Sequence, residues 1–547
     1  MNRIYIMRKI FTFLLLTIGM GLYANDISIS NVQLVGQNTS AGTNNAANFT
    51  LVQFNLSWEN SWRSNEGPAN WDPAWVFVKY RVGSGDWQHA LLNNTGHTAP
   101  AGSSIDVGLQ TPGSAFNATT NAGIGAFIYR SATGSGTFSL NNVQLRWNYG
   151  ANEVQDAAVV DVRVFAIEMV YIPQGSFSVG DGDASSSNGF CAANSTTGTA
   201  TFTIGATPPT LQGRNASSSA SNLSAMGSSD FGFGTTTYSL ATGFPTGFNA
   251  IYGMKYEISQ QGYVDFLNTL TRAQQNTRTG TSLASGTTSV TNRYVMSNSP
   301  TLQFRNGIRC DGTINGTAPI TFYCDLNGNG TGGESADGQW LACNWLNYMD
   351  VSAYLDWSGL RPMTELEFEK ACRGTLTPVA GEYAWGSTSI TGAANITSGG
   401  TVSETSNTAN ANAVYNNNAN VQGPMRVGVF ATGSSTRVQS GAGYYGMMQL
   451  SDNLWERAVT VGNTTGRSFT GVHGNGGLSA NGNANETAWP GLSSGEVTSA
   501  TGAGYRGGGW SLIAISLRTA DRTLAADSNY GRFRDTRGGG RGVRSVQ

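Results

Sequence analysis

The stretch Asn344–Gly374, NWLNYMDVSAYLDWSGLRPMTELEFEKACRG, decides how the rest of the chain is read. Val351, Tyr354 and Leu355 recur at i, i+3 and i+4, which is helical spacing. Asp350 is placed to cap this first helix and Gly359 to end it. Arg361-Pro362 then forces an extended step, because proline disfavours helix in the residue before it. Thr364 and Glu367 have the spacing of a capping box, in which hydroxyl and carboxylate each take the other's backbone N–H. Phe368, Ala371 and Cys372 form the next buried stripe, and Gly374 stops the second helix. The stretch thus predicts two helices joined through a short extended segment.

Working outward, 547 residues suit two or three domains. Only 12% are charged, glycine numbers 72 and the net charge is −2. A nucleic-acid partner, which calls for a basic face, is not expected. Lysine is confined to positions 9, 79, 255 and 370. Arg3, Arg8 and Lys9 precede the apolar run Ile10–Leu22, and Ala24 offers a cleavage site, so residues 1–24 read as a signal peptide. No cysteine follows that run to carry a lipid, and no later stretch is apolar enough to span a bilayer. The expectation is a secreted or cell-surface protein without a transmembrane segment. Of the five cysteines, Cys310 and Cys324 are the first choice for a disulfide. Cys343 and Cys372 read as small buried hydrophobes.

Residues 25–168 read as an all-β sandwich. Ile27–Val35, Phe49–Trp58, Trp75–Val82, Phe127–Arg130, Phe138–Trp147 and Val159–Phe165 are strand-like, separated by Gly, Asn, Pro and Ser clusters. Val76, Val78, Tyr80 and Val82 alternate as in a half-buried strand. Six tryptophans here, Trp58, Trp62, Trp71, Trp75, Trp87 and Trp147, read as packing residues rather than a sugar-stacking face. From residue 169 the pattern changes. Ser259 is a plausible N-cap for a helix with Tyr263, Phe266, Leu267 and Leu270 on one face. Regions near 184–239 and 275–340, rich in Ser, Thr, Gly and Asn, read as insertions.

Several segments of 169–547 share wording with one known family. Arg361, Pro362, Thr364, Glu365, Glu367, Phe368, Glu369, Ala371, Arg373 and Gly374 carry the closest match. Met169–Gly182 (MVYIPQGSFSVGDG), Gly446–Arg457 (GMMQLSDNLWER), Arg506–Trp510 (RGGGW), Arg518, Arg522 and Gly539–Arg544 (GGRGVR) agree with it in order. These resemble the sulfatase-modifying-factor family, which includes the formylglycine-generating enzyme. The resemblance implies an α+β, C-type-lectin-like domain with much irregular structure.

It also implies chemistry that this chain lacks. The family's copper-binding cysteines would follow Trp510, but Trp510–Arg518 contains none and no cysteine occurs after Cys372. A related branch binds iron through several histidines. Here His89 and His97 lie in the first domain and His473, in GVHGNGG, reads as a solvated loop residue. Neither copper nor iron is expected. Neither a G-x-S-x-G nucleophile elbow nor a P-loop is present. A structural calcium ion is implied at Asn453 and Glu456, with backbone oxygens near Asp452 and Leu454, although Gln449, Asp452 and Arg457 depart from the family pattern. Asp325, Asn327 and Asn329 mimic the start of an EF-hand loop, but Ala336 holds the twelfth position, which favours a polar turn.

The C-terminal loops are the expected contact surface, through Trp510, Ser511, Ile513, Ile515, Arg518, Asn529, Tyr530, Arg532 and Phe533, where aromatic and Arg side chains favour binding. Some proteins of this fold are variable binding proteins of diversity-generating retroelements, and the irregular segments Ser511–Leu517 and Leu524–Asp535 resemble their diversified region. The function expected is binding of a protein or glycan. The alternatives are an enzyme of altered chemistry and a structural part of a surface assembly.

Overall fold

The computed structural model describes residues 27–186, 188–227 and 230–547; the expected signal peptide lies outside them. Strand accounts for 28% of the chain and helix for 9%, so the protein is mainly β. Among the described residues, no helix is long and apolar enough to cross a membrane.

The N-terminal strands are β1 (Ser28–Asn38), β2 (Phe49–Arg63), β3 (Ala74–Val82), β4 (Ser103–Leu109), β5 (Gly123–Arg130), β6 (Gly134–Trp147) and β7 (Val160–Ile172). β1, β2 and β6 form one sheet, and β4, β5, β3 and β7 run side by side in another. Between them pack Val52, Phe54 and Leu56 of β2, Val76, Val78 and Tyr80 of β3, and Val143 and Leu145 of β6. Trp58, Trp75 and Trp147 are buried, as packing residues should be.

β3 departs from the half-buried reading. Its other face, Trp75 and Phe77, is equally buried, in a second core shared with Tyr354, Leu355 and Trp357. Alternation marks one face as apolar; it does not say that a later part of the chain will cover the other.

That later part begins within β7. Val160–Glu168 pairs with β3, and Met169–Ile172 pairs with β8 (Ile251–Met254). The boundary expected after residue 168 therefore falls inside one continuous strand. The remaining strands are β9 (Arg361–Thr364), β10 (Glu456–Val459), β11 (Ala503–Arg506) and β12 (Gly542–Ser545). They extend the same sheet in the order β11-β10-β9-β12-β8-β7-β3-β5-β4, ten strands with Gln88–His89 paired to β3. The inserted region near 184–239 is not wholly irregular: Phe202–Ile204 pairs with Phe177–Val179, and further short strands form a small sheet of their own.

Helix α1 is Gln260–Leu267, capped by Ser259 as expected. Helices α2 (Tyr348–Trp357) and α3 (Glu365–Arg373) are the predicted pair. The cap of α2 is Asn347, not Asp350; Asp350 is the N3 partner in a capping box, its backbone N–H donating to Asn347 Oδ1 at 2.8 Å. The expected apolar start hid a full turn because Tyr348 is itself helical. The carbonyls at the C-terminus of α2 are taken up by β3: Trp75 Nε1 donates to Ser358 O at 2.8 Å, and Lys79 Nζ to Trp357 O at 2.7 Å. All three described lysines are buried. Lys255 pairs with Glu168 at 2.9 Å and Asp72 at 3.2 Å, and Lys370 donates to Gly247 O at 2.6 Å.

α3 opens with the predicted box, Thr364 N donating to Glu367 Oε2 at 2.9 Å and Glu367 N to Thr364 Oγ1 at 3.2 Å. Its acidic residues are buried rather than solvated. Glu365 receives Arg522 Nε at 2.6 Å and Arg506 Nη1 at 3.1 Å. Glu369 receives Arg506 Nη2 at 2.7 Å and Arg373 at 3.1 Å, and Glu367 receives Arg361 at 2.6 Å. Four of the arginines that carried the family resemblance, Arg361, Arg373, Arg506 and Arg522, are thus clamps on this helix.

Two further expectations are corrected. Cys310 and Cys324 are free and buried. The hairpin register places Ile308 opposite Cys324, leaving Cys310 two residues further along. His473 is buried, and its Nε2 accepts the Ser545 N–H at 2.9 Å, so it fastens the C-terminal strand instead of facing water.

Burial pushes the Glu365 carboxyl up, but Arg522 and Arg506 outweigh it and hold the group below the ordinary carboxylate range. A depressed carboxylate contributes stability that is present above its unfolded pKa and lost as pH falls through the folded value. Glu365→Gln should therefore cost about 3–5 kcal/mol in urea unfolding at pH 7, because two arginines lose their buried partner. The gap from the wild type should narrow below about pH 4.3.

Candidate functional site

β11 runs directly from the clamp into Gly507 and Gly508. Both have positive φ, 84° and 76°. A Cβ on Gly507 would lie 2.4 Å from Leu450 O and one on Gly508 2.6 Å from Leu517, so only glycine lets the chain turn back here. The turn leaves a cavity of about 220 Å³, lined by Trp455, Tyr505, Arg506, Leu512, Ser516, Asp521, Thr523, Leu524 and Arg537. That space suits one side chain or a small ligand rather than a large cofactor.

One wall alternates guanidinium and ring. Arg537 Cζ lies 4.5 Å from the Trp455 ring, Trp455 and Tyr505 are 4.6 Å apart, and Arg457 Cζ lies 3.9 Å from Tyr505. Arg537 is steadied by Asp535, through bonds of 2.8 and 2.9 Å. Opposite this wall chemistry stands Asp521. Burial pushes its carboxyl up to about 6, against the lowering effect of the bonds donated by Thr523 N and Oγ1, each 3.2 Å. The cavity is therefore lined by aromatic side chains, two arginines, three hydroxyl-bearing side chains and one acid with a pKa raised to about 6. No thiol or imidazole lines it.

The residues expected to make contact divide into two groups. Trp510 is buried, its indole N–H donating to Thr536 O at 3.0 Å and its ring 5.4 Å from Phe304; it belongs to the frame, not the surface. Ser511 and Ile515 are half-buried. Arg518 ties down the inserted region through Asp183 and Ser185, both at 3.0 Å. Ile513 and Phe533 are exposed, 61% and 55%, as are Asn529 and Arg532, whose guanidinium covers the Phe533 ring at 4.7 Å. The Tyr530 side chain lies outside the described residues. Sequence reasoning found the loops but missed Leu512, Ser516, Asp521, Thr523 and Arg537. No periodicity governs such irregular chain, and Asp521 is indistinguishable in sequence from any loop aspartate.

The calcium expectations were tested against the donors. Asn453 spends its amide on protein, accepting Met425 N–H at 2.9 Å and donating to Glu257 at 2.6 Å. Leu454 N donates to Glu257 at 2.9 Å, and Asp452 Oδ2 accepts Val414 N–H, also at 2.9 Å. Glu456 is held by Arg541, which also donates to Met448 O at 2.8 Å and Lys255 O at 3.2 Å. Arg541 thus neutralises Glu456, whose Oε2, like Asp452 Oδ1, is buried with no hydrogen-bond partner among the described residues.

In the second loop Asp325 pairs with Arg309 and accepts Gly330 N–H at 3.0 Å. Asn327 and Asn329 both donate to Glu334, at 2.9 and 2.6 Å. That is a polar turn held by its own side chains. Among the described residues, no group of three or more His, Cys, Asp or Glu side chains forms a metal set.

No known family model matches the chain, and no curated protein matches it. Arg541→Met should cost about 3–5 kcal/mol in urea unfolding, since Glu456 loses its buried partner. Added calcium should leave the unfolding midpoint of the wild type unchanged if Arg541 already serves as the counter-charge of Glu456.

Proposed function

We propose that the protein is an exported binding protein, built on a domain resembling the sulfatase-modifying factors, whose C-terminal loops hold a protein or glycan ligand over the cavity beside Gly507–Gly508. The observation that carries this reading is the pairing of a small aromatic and polar cavity with exposed Ile513 and Phe533 on the loops that border it. Together they give a partner apolar surface to cover beside the cavity. The loops themselves hang from buried arginine clamps, which tie the irregular rim to α3. Calcium has no part in this reading.

The test is a screen of the intact protein against glycan and secreted-protein arrays. For the ligand found, the double variant Ile513→Ala, Phe533→Ala should bind at least about tenfold more weakly while melting within a few degrees of the wild type. Unchanged affinity would overturn the assignment of these loops.

A second reading, an enzyme of altered chemistry in the same cavity, is favoured by one observation, the Asp521 carboxyl with a pKa raised to about 6. Groups so shifted in clefts are general-base candidates. If this reading holds, turnover of the array ligand should rise through pH 6 and be lost in Asp521→Asn. Binding without turnover in both proteins would leave the module.

A further inference from the structure

A second and larger cavity, about 280 Å³, is lined by residues of β7, α1 and α2. Nothing in the proposed function uses it. Its walls are aromatic: Phe165 from β7, Tyr256 after β8, Trp340, and Tyr354 and Trp357 from α2. No Lys, Arg or His lines it, whereas three carboxylates do, Glu168, Glu257 and Asp265.

Two of the three are already satisfied. Glu168 pairs with Lys255 at 2.9 Å, and both oxygens of Glu257 accept hydrogen bonds from Asn453 and Leu454. Asp265 is different. Gln261 Nε2 donates to its Oδ1 at 2.7 Å, and its other oxygen has no hydrogen-bond partner among the described residues. Asp265 is half-buried; burial raises its carboxyl to about 6, while the Gln261 bond and the nearby Arg163 guanidinium favour the charged form. Two further lining groups are buried and unpartnered among the described residues, the Trp357 indole N–H and Gln339 Oε1. Trp357 is only 4% exposed, so water does not serve its N–H from the surface.

We infer that this cavity binds a small organic ammonium that also carries a hydroxyl. The ammonium would face Asp265 and the aromatic walls, whose ring faces attract cations. The hydroxyl, both donor and acceptor, would serve Gln339 Oε1 and the Trp357 N–H together. An anionic ligand would find no cationic side chain lining the cavity among the described residues, and a purely apolar one would leave both amide oxygen and indole unpaired.

The test uses intact protein and calorimetric titration with choline chloride. Its uncharged isostere, 3,3-dimethylbutan-1-ol, should bind at least about tenfold more weakly, because it lacks the charge that Asp265 and the rings recognise. Asp265→Asn keeps the shape and a bond to Gln261, and should weaken choline by at least about tenfold. Should that variant fail to fold, Trp340→Leu carries the test, with an expected loss of at least about threefold. Equal affinity for choline and its isostere, or unchanged choline binding in the variant that folds, would overturn the proposal. So would binding to phosphatidylcholine vesicles in place of free choline, since the cavity would then serve a lipid headgroup.

Discussion

The buried carboxylate of Glu365, held between Arg522 and Arg506, is the constraint on which the C-terminal half depends. Neither charge could lie in the interior alone, since an unpaired buried ion costs several kcal/mol. Together they oblige three separated pieces of chain to meet: α3, β11 and the segment after Trp510. Arg506 extends the arrangement to Glu369, and Arg373 to Glu369 and Glu382. Such networks are weak sources of net stability, because desolvation offsets most of the attraction. Their stronger effect here is on specificity, since a shifted register would strand a charge.

The same logic governs how the N-terminal sheets join the rest. β7 belongs to both halves, so no flexible linker separates them. Polar groups complete the junction. Lys79 and Trp75 reach from β3 to the C-terminal carbonyls of α2, and Arg544 of β12 donates to Gly359 O and Leu109 O while lying 4.6 Å from the Trp75 ring. Helix-terminal carbonyls need donors, and a buried terminus can take them only from neighbouring chain. Of the three described lysines, Lys79 and Lys255 lie at this junction.

Both cavities sit at the edges of this rigid frame. The one beside Gly507–Gly508 exists because two consecutive residues with positive φ turn the chain away from the sheet. The one beside α1 exists because β7, α1 and α2 diverge where the two halves of the sheet hand over. Each places one acid with a raised pKa, Asp521 or Asp265, among aromatic side chains.

Read alone, the sequence determined the local elements. The Thr364–Glu367 box, the extended step at Arg361-Pro362, the stop at Gly374, the Ser259 cap and the N-terminal strands all follow from short-range rules, and the structure carries each of them. It also located the loops on which Ile513 and Phe533 stand exposed. What it could not determine depended on what packs against what. The cap of α2 moved to Asn347, both faces of β3 were buried, and His473 and Trp510 turned inward. Cys310 lay out of register with Cys324, and Arg541 paired with Glu456. Apart from the Asn347 cap, a local box with Asp350, the deciding energy came from a residue tens to hundreds of positions away, through burial or pairing. Only the tertiary structure brings such partners within reach.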